Sequence, residues 1–287
     1  MILESRSTIY LVLAQSLCKA AAHALASGSS DSPRLFRSPV IVATASDRTQ
    51  AETRLGRQLV TLLSEHGLDP RLAVPPPLTV TVWRRLTRRR GGHVAIDLDP
   101  DAEQSSPVRI PSEIANAGTL IVAADLRGEM AIHPTIAIGL WTQFAGLRER
   151  LDVRISVPEE GRAAEIALAV RPTLIVLADA WRGHSVVVAT SDQIAAELVG
   201  LGLKQVMQEG DDDQLGPWQH PLVQRATELD LGVRLPDQIA IRAVSLEDAD
   251  PAVARHFPDF VDEIAARLGV RHVSTSKTGT TSATPSN

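Results

Sequence analysis

The chain has 287 residues, 44% of them hydrophobic and 22% charged, which is the composition of a globular protein able to bury a large core. A formal net charge of −5 gives no global reason to expect nucleic acid or an anionic membrane as partner. The single cysteine, Cys18, excludes an internal disulfide and any iron–sulfur cluster held by several cysteines of this chain, so no cofactor of that kind is expected.

At the N-terminus, Leu11, Ala14, Cys18, Ala21 and Leu25 share one face at helical spacing, which predicts a first helix with Cys18 as a small buried hydrophobe. Glu4, Gln15, Lys19 and His23 interrupt what would otherwise resemble a signal peptide. No run reaches the ~18 apolar residues of a membrane span. The expected compartment is the cytoplasm.

After the loop at Ser27–Pro33, Val40-Ile41-Val42-Ala43 is a continuous apolar run, as in a strand covered on both faces. A helix is expected from about Thr49 to His66, with Leu55, Leu59, Leu62 and Leu63 on one side and Gly67 as its stop. Strands are expected at Leu78–Trp83, His93–Leu98, Leu120–Ala123, Thr173–Leu177 and Ser185–Ala189. Ser191 or Asp192 is placed to cap a helix running through Leu201. A helix near Leu222–Leu229, a strand at Gln238–Val244 and a last helix from Pro251 to Leu268 complete the pattern. The Ser/Thr/Gly/Pro-rich end, 273–287, is expected to be a disordered tail behind a single domain of 1–272.

Apolar strands alternating with amphipathic helices predict an α/β fold, a mostly parallel sheet with helices on both faces. In such sheets ligands bind at the carboxyl ends of the strands. Four loops follow from that rule: Thr44–Arg48, Ala124–His133, Asp179–His184 and Thr190–Asp192. Asp125 with Arg127, and Asp179 with Arg182, are two Asp/Arg pairs in such loops. They suit either an anionic ligand held by the guanidinium groups or ordinary loop ion pairs. His133 and His184 are the histidines best placed for chemistry, with His184 and Asp179 as the candidate acid–base residues. A phosphate-cradling glycine signature, a His-x-x-x-His pair and a nucleophile elbow are all absent. The run Arg84–Arg90 has no interleaved aromatic residue and reads as a solvated face rather than a nucleic-acid site.

Two stretches carry a resemblance. Ile110-Pro111-Ser112-Glu113-Ile114-Ala115-Asn116-Ala117-Gly118-Thr119-Leu120-Ile121-Val122 is the first. Pro172–Ala180, continuing into Val187-Val188-Ala189-Thr190-Ser191-Asp192-Gln193-Ile194-Ala195-Ala196-Glu197-Leu198, is the second. Together they resemble the domain-of-unknown-function family numbered three-six-two, whose members are often labelled iron–sulfur cluster-binding proteins. The order of elements matches from about Ser38 to Val244. The resemblance implies the family's fold and retains Asp179, Ser191 and Asp192 as matching site positions. The chain departs from the family at Ala43-Thr44-Ala45, where Lys-Pro-Asn is usual, and at Val122–Glu129, where the pattern is Asn-Val-Pro-Lys-Leu-Lys-Thr-His. The appended cysteine-rich ferredoxin module is missing.

Two functions are expected on this basis. One is a divergent small-molecule enzyme or enzyme-like binder with a rebuilt pocket of Asp125, Arg127, His133, Asp179, Arg182, His184, Ser191 and Asp192, possible in a biosynthetic setting. The other is a non-catalytic partner or scaffold subunit of an intact family member, or a homo-oligomer.

Overall fold

A computed structural model describes residues 6–30, 37–44, 54–73, 93–96, 108–126, 172–207 and 215–277. The chain opens with a strand, β1 (Ser7–Ala14), followed by α1 (Leu17–Ser30). The helical face read across Leu11 and Ala14 is thereby corrected. Ile9–Ala14 is a continuous apolar run, and such a run buried on both sides satisfies strand packing as well as helical spacing does. Cys18 is exposed on the first turn of α1 rather than buried, because Leu17, Ala20, Ala21 and Ala24 form that helix's inner face.

Next come β2 (Val40–Thr44), α2 (Arg54–Glu65), β3 (Pro70–Ala73), β4 (His93–Ile96), β5 (Val108–Pro111), the short α3 (Ser112–Ala115) and β6 (Thr119–Asp125). Beyond 171 the order is β7 (Leu174–Trp181), β8 (His184–Thr190), α4 (Gln193–Met207), α5 (Pro221–Glu228), β9 (Ile239–Ser245), α6 (Pro251–Leu268) and β10 (His272–Lys277). The strand expected at Leu78–Trp83 and the run Arg84–Arg90 lie outside the described residues.

Eight strands form one sheet in the order β10-β9-β1-β8-β7-β6-β2-β3, and β4 pairs with β5 in a separate ribbon. Every strand of the large sheet runs the same way except β8, which is antiparallel to both β1 and β7. The fold is therefore α/β with a mostly parallel sheet, in which the strands at Val40, Leu120 and Leu174 are neighbours.

Alternation along each strand divides the core. Ile9, Leu11, Ile41, Val122, Ile175 and Val188 face α4, α5 and α6. Tyr10, Val12, Val42, Ile121, Val176 and Val187 face α1 and α2. Both faces are covered, which is why these strands read as unbroken apolar runs. The residues after His272, expected to be a tail, contribute five to β10, which pairs in parallel with β9. Its side chains are mostly polar and exposed, so main-chain pairing is the larger part of its attachment, and hydropathy carries little trace of it. Residues 278–287 lie outside the described set. Among the described residues, no helix is long and apolar enough to cross a membrane.

Candidate functional site

The antiparallel direction of β8 divides the expected site. The chain leaves β7 at the carboxyl edge, turns through Arg182-Gly183, and returns along β8 to the opposite edge. Ser191 and Asp192 therefore lie roughly 20 Å from Asp179 along a seven-residue strand. The loop Thr190–Asp192 does not belong to the carboxyl edge, a correction that a parallel reading of β8 concealed.

Asp192 is occupied where it stands. Its Oδ1 accepts from the Ala195 N–H at 2.8 Å, capping α4 as expected, and its Oδ2 accepts from the Val233 N–H at 3.0 Å. Burial pushes its carboxyl above the ordinary carboxylate range, with these amide donors and the Ser7 side chain pulling the other way. A Cβ at Gly232 would collide with this carboxylate, so glycine there admits the approach. Ser191 is exposed beside it.

The carboxyl edge is itself split between the two faces of the sheet. Asp125 stands opposite Ala178 in register, so Asp179, one residue further along, points to the other face. Asp179 accepts from the Ala180 N–H at 2.7 Å and shares its face with Trp181 and His184. The two-residue hairpin turn has positive φ at both positions, 49° at Arg182 and 79° at Gly183, the conformation that matches strand twist. It leaves Arg182 exposed at the tip, with its guanidinium 5.0 Å above the Trp181 ring. Trp181 in turn stacks on Phe260 of α6, centroids 4.4 Å apart.

His184 is 8% exposed, and both ring nitrogens are engaged. Nδ1 lies 3.1 Å from the Arg182 carbonyl, and Nε2 accepts from the Asp250 N–H at 3.0 Å. These contacts select the tautomer with hydrogen on Nδ1. Asp250 caps α6 by accepting from the Ala252 N–H at 2.8 Å. His184 thus joins the β7–β8 hairpin to the start of α6. Arg127 and His133 lie outside the described residues, so the expected convergence of Arg127, Arg182 and His184 reduces here to Arg182 and His184.

The remaining place at this edge is the gap between β2 and β6. From β2 the chain crosses through α2 to β3 on one side, then returns to β6 on the other, which makes β2/β6 a topological switch point. Thr44 ends β2 and Asp125 ends β6, both facing α1 and α2. Thr44 is 1% exposed, and its Oγ1 has no hydrogen-bond partner among the described residues. Its methyl lies under the first described turn of α2, where a Cβ on Gly56 would collide with Thr44 Cγ2. Asp125 is half-buried two residues beyond the register partner of Thr44, Ala123. Thr44 opened one of the expected loops but was not singled out. The available signal was a polar residue closing the apolar run Val40–Ala43, on a strand that otherwise had none.

A contrasting arrangement lies at the start of α1. There Asp248 Oδ2 accepts from the Ser16 N–H at 3.3 Å and pairs with Lys19 at 3.6 Å, so a side chain of the chain itself serves that helix terminus, while its Oδ1, like Thr44 Oγ1, is buried with no partner among the described residues. No protein family and no curated protein matches the chain.

Proposed function

We propose that the protein is a small-molecule binder, enzyme-like in architecture and cytoplasmic. Its ligand sits between the carboxyl ends of β2 and β6, and the chain is a divergent relative of the three-six-two family. One observation carries the reading. A buried hydroxyl without a partner costs about 1–3 kcal/mol, and here it lies at a crevice where the strand order reverses. A ligand contacting Thr44 Oγ1 and Asp125 offsets that cost. Gly56 supports the same reading, because it lets α2 approach the end of β2 closely.

Asp179, Arg182 and His184 lie on the other face and act in this proposal through the fold. His184 positions the hairpin against α6 rather than exchanging a proton with the ligand. Ser191 and Asp192 have no role in binding.

The test is Thr44→Val, which keeps the shape and removes the hydroxyl. If the hydroxyl is unpaired in the unliganded protein, the variant is more stable by about 1 kcal/mol in urea denaturation. A destabilised variant would show that Thr44 Oγ1 serves the fold, and the crevice reading would fall.

A further inference from the structure

The two outermost strands of the large sheet are finished differently. β3 closes one side with four residues, begins at Pro70 and exposes Arg71. Proline and charge are the usual means of keeping a sheet edge from pairing with another chain. β10 closes the other side with six residues and has no proline, and no Lys, Arg, Asp or Glu before Lys277, its last. Val273 and Thr275 are β-branched, a residue type that favours strands. β9 takes up one side of the β10 main chain, and among the described residues no strand takes up the other. We infer that this free side pairs antiparallel with β10 of a second copy of the chain, joining two eight-stranded sheets into one.

A second copy suits this edge because of what a two-fold axis does to it. An axis perpendicular to the sheet sets like strands antiparallel and keeps each face on its own side. Residues directly opposite must then share a face, so the axis passes through a residue rather than between two. Val273 and Thr275 stand beside Ile241 and Ala243 of β9, which belong to the core under α6, and Ser274 stands beside Arg242 on the other face.

An axis at Ser274 would set Arg271 opposite the second copy's Lys277, cation against cation, at both ends of the pairing. An axis at Thr275 opposes no two charged residues within β10. It sets Thr275 against its own copy and Ser274 against Ser276, hydroxyl pairs of the kind that stabilise antiparallel strands. These three residues are exposed in the single chain, so the pairing needs no rearrangement of the core.

Sedimentation velocity over a concentration series and oxidative cross-linking, both on the full chain, test the pairing. Wild type is expected to pass from monomer to dimer as concentration rises. Thr275→Lys puts like charges face to face at the axis and is expected to stay monomeric. Its unfolding midpoint should match that of wild type at a concentration where both are monomers. Cys18→Ser removes the single cysteine and supplies the background for cross-linking. There, Thr275→Cys brings two side chains about 5 Å apart across the axis, within reach of a disulfide. His272→Cys leaves them roughly 20 Å apart, three residues to either side of the axis. A covalent dimer is expected from Thr275→Cys and not from His272→Cys. Wild type that stays monomeric throughout overturns the proposal. So does a dimer that survives Thr275→Lys, or one that cross-links equally at both positions. If Thr275→Lys fails to fold, the two cysteine variants decide alone.

Discussion

Asp192, half-buried just past β8, and Thr44, buried at the end of β2, are polar residues that close apolar strands, one at each edge of the sheet, and they are treated in opposite ways. Asp192 is supplied with amide hydrogens from Ala195 and Val233, and Gly232 makes room for it. Thr44 also has a glycine beside it, Gly56, yet its hydroxyl has no partner among the described residues. A fold that satisfies a carboxylate so fully at one edge has no general difficulty in satisfying a hydroxyl at the other. On the proposed reading, the difference separates a residue the structure needs from one whose partner is a ligand.

The largest expected effect lies on the satisfied side. Asp192→Ala removes the cap of α4 and the tether to the 232–233 segment, and leaves the Val233 amide without its acceptor. A loss of about 2–4 kcal/mol follows from the two contributions together. Urea denaturation with an unchanged slope checks it; a loss below about 0.5 kcal/mol would mean that Asp192 is not the structural residue described here.

Gly56→Ala addresses the other side, with a smaller effect. The added methyl group meets Thr44 Cγ2, and overpacking of this kind costs about 1–3 kcal/mol, partly offset by the better helix propensity of alanine. Thr44→Ser deletes the colliding methyl and keeps the hydroxyl, so the double variant recovers most of the loss. A double-mutant cycle yields a coupling above about 0.5 kcal/mol if the contact is as described. Additive effects would show that α2 lies further from β2.

What could be read beforehand follows from burial. β2, β6, β7 and α6 were legible because their apolar periodicities are imposed by a core on one or both sides. β1 was misread, since a strand buried on both faces carries no period of two, and its residues met the helical spacing by coincidence. β10 was missed because its attachment is largely to the main chain of β9, and Ser-Thr-Ser-Lys leaves no hydropathic trace. The site was misassembled for a related reason. Asp125 stands at the end of its strand and Asp192 just beyond β8. Asp179 and His184, expected in a loop, belong instead to the paired strands β7 and β8, with only Arg182-Gly183 between them. Strand direction and facing then decide which of these residues meet. One antiparallel strand moved Asp192 to the far edge, and one residue of register put Asp179 behind the sheet from Asp125. Neither is written in local composition.

The smallest expected effect is a pH dependence that sharpens the account of Asp192. Burial raises its carboxyl above the ordinary value of 3.8 despite the opposing amide donors, so the folded state binds this proton more readily than the unfolded chain does. A raised folded-state value means that the proton's contribution to stability is fully present below the unfolded value and is lost as pH rises through the folded one. Asp192→Asn cannot titrate. The stability difference, wild type minus Asp192→Asn, therefore shifts in favour of wild type as pH is lowered from neutrality towards 4, whatever its starting sign. Taking the difference cancels the other carboxylates, which titrate alike in both proteins. Denaturation midpoints at matched ionic strength supply the measurement. A difference that stays flat over this range, or that moves against wild type, would show that the amide donors outweigh burial and that Asp192 is held as a stabilised anion.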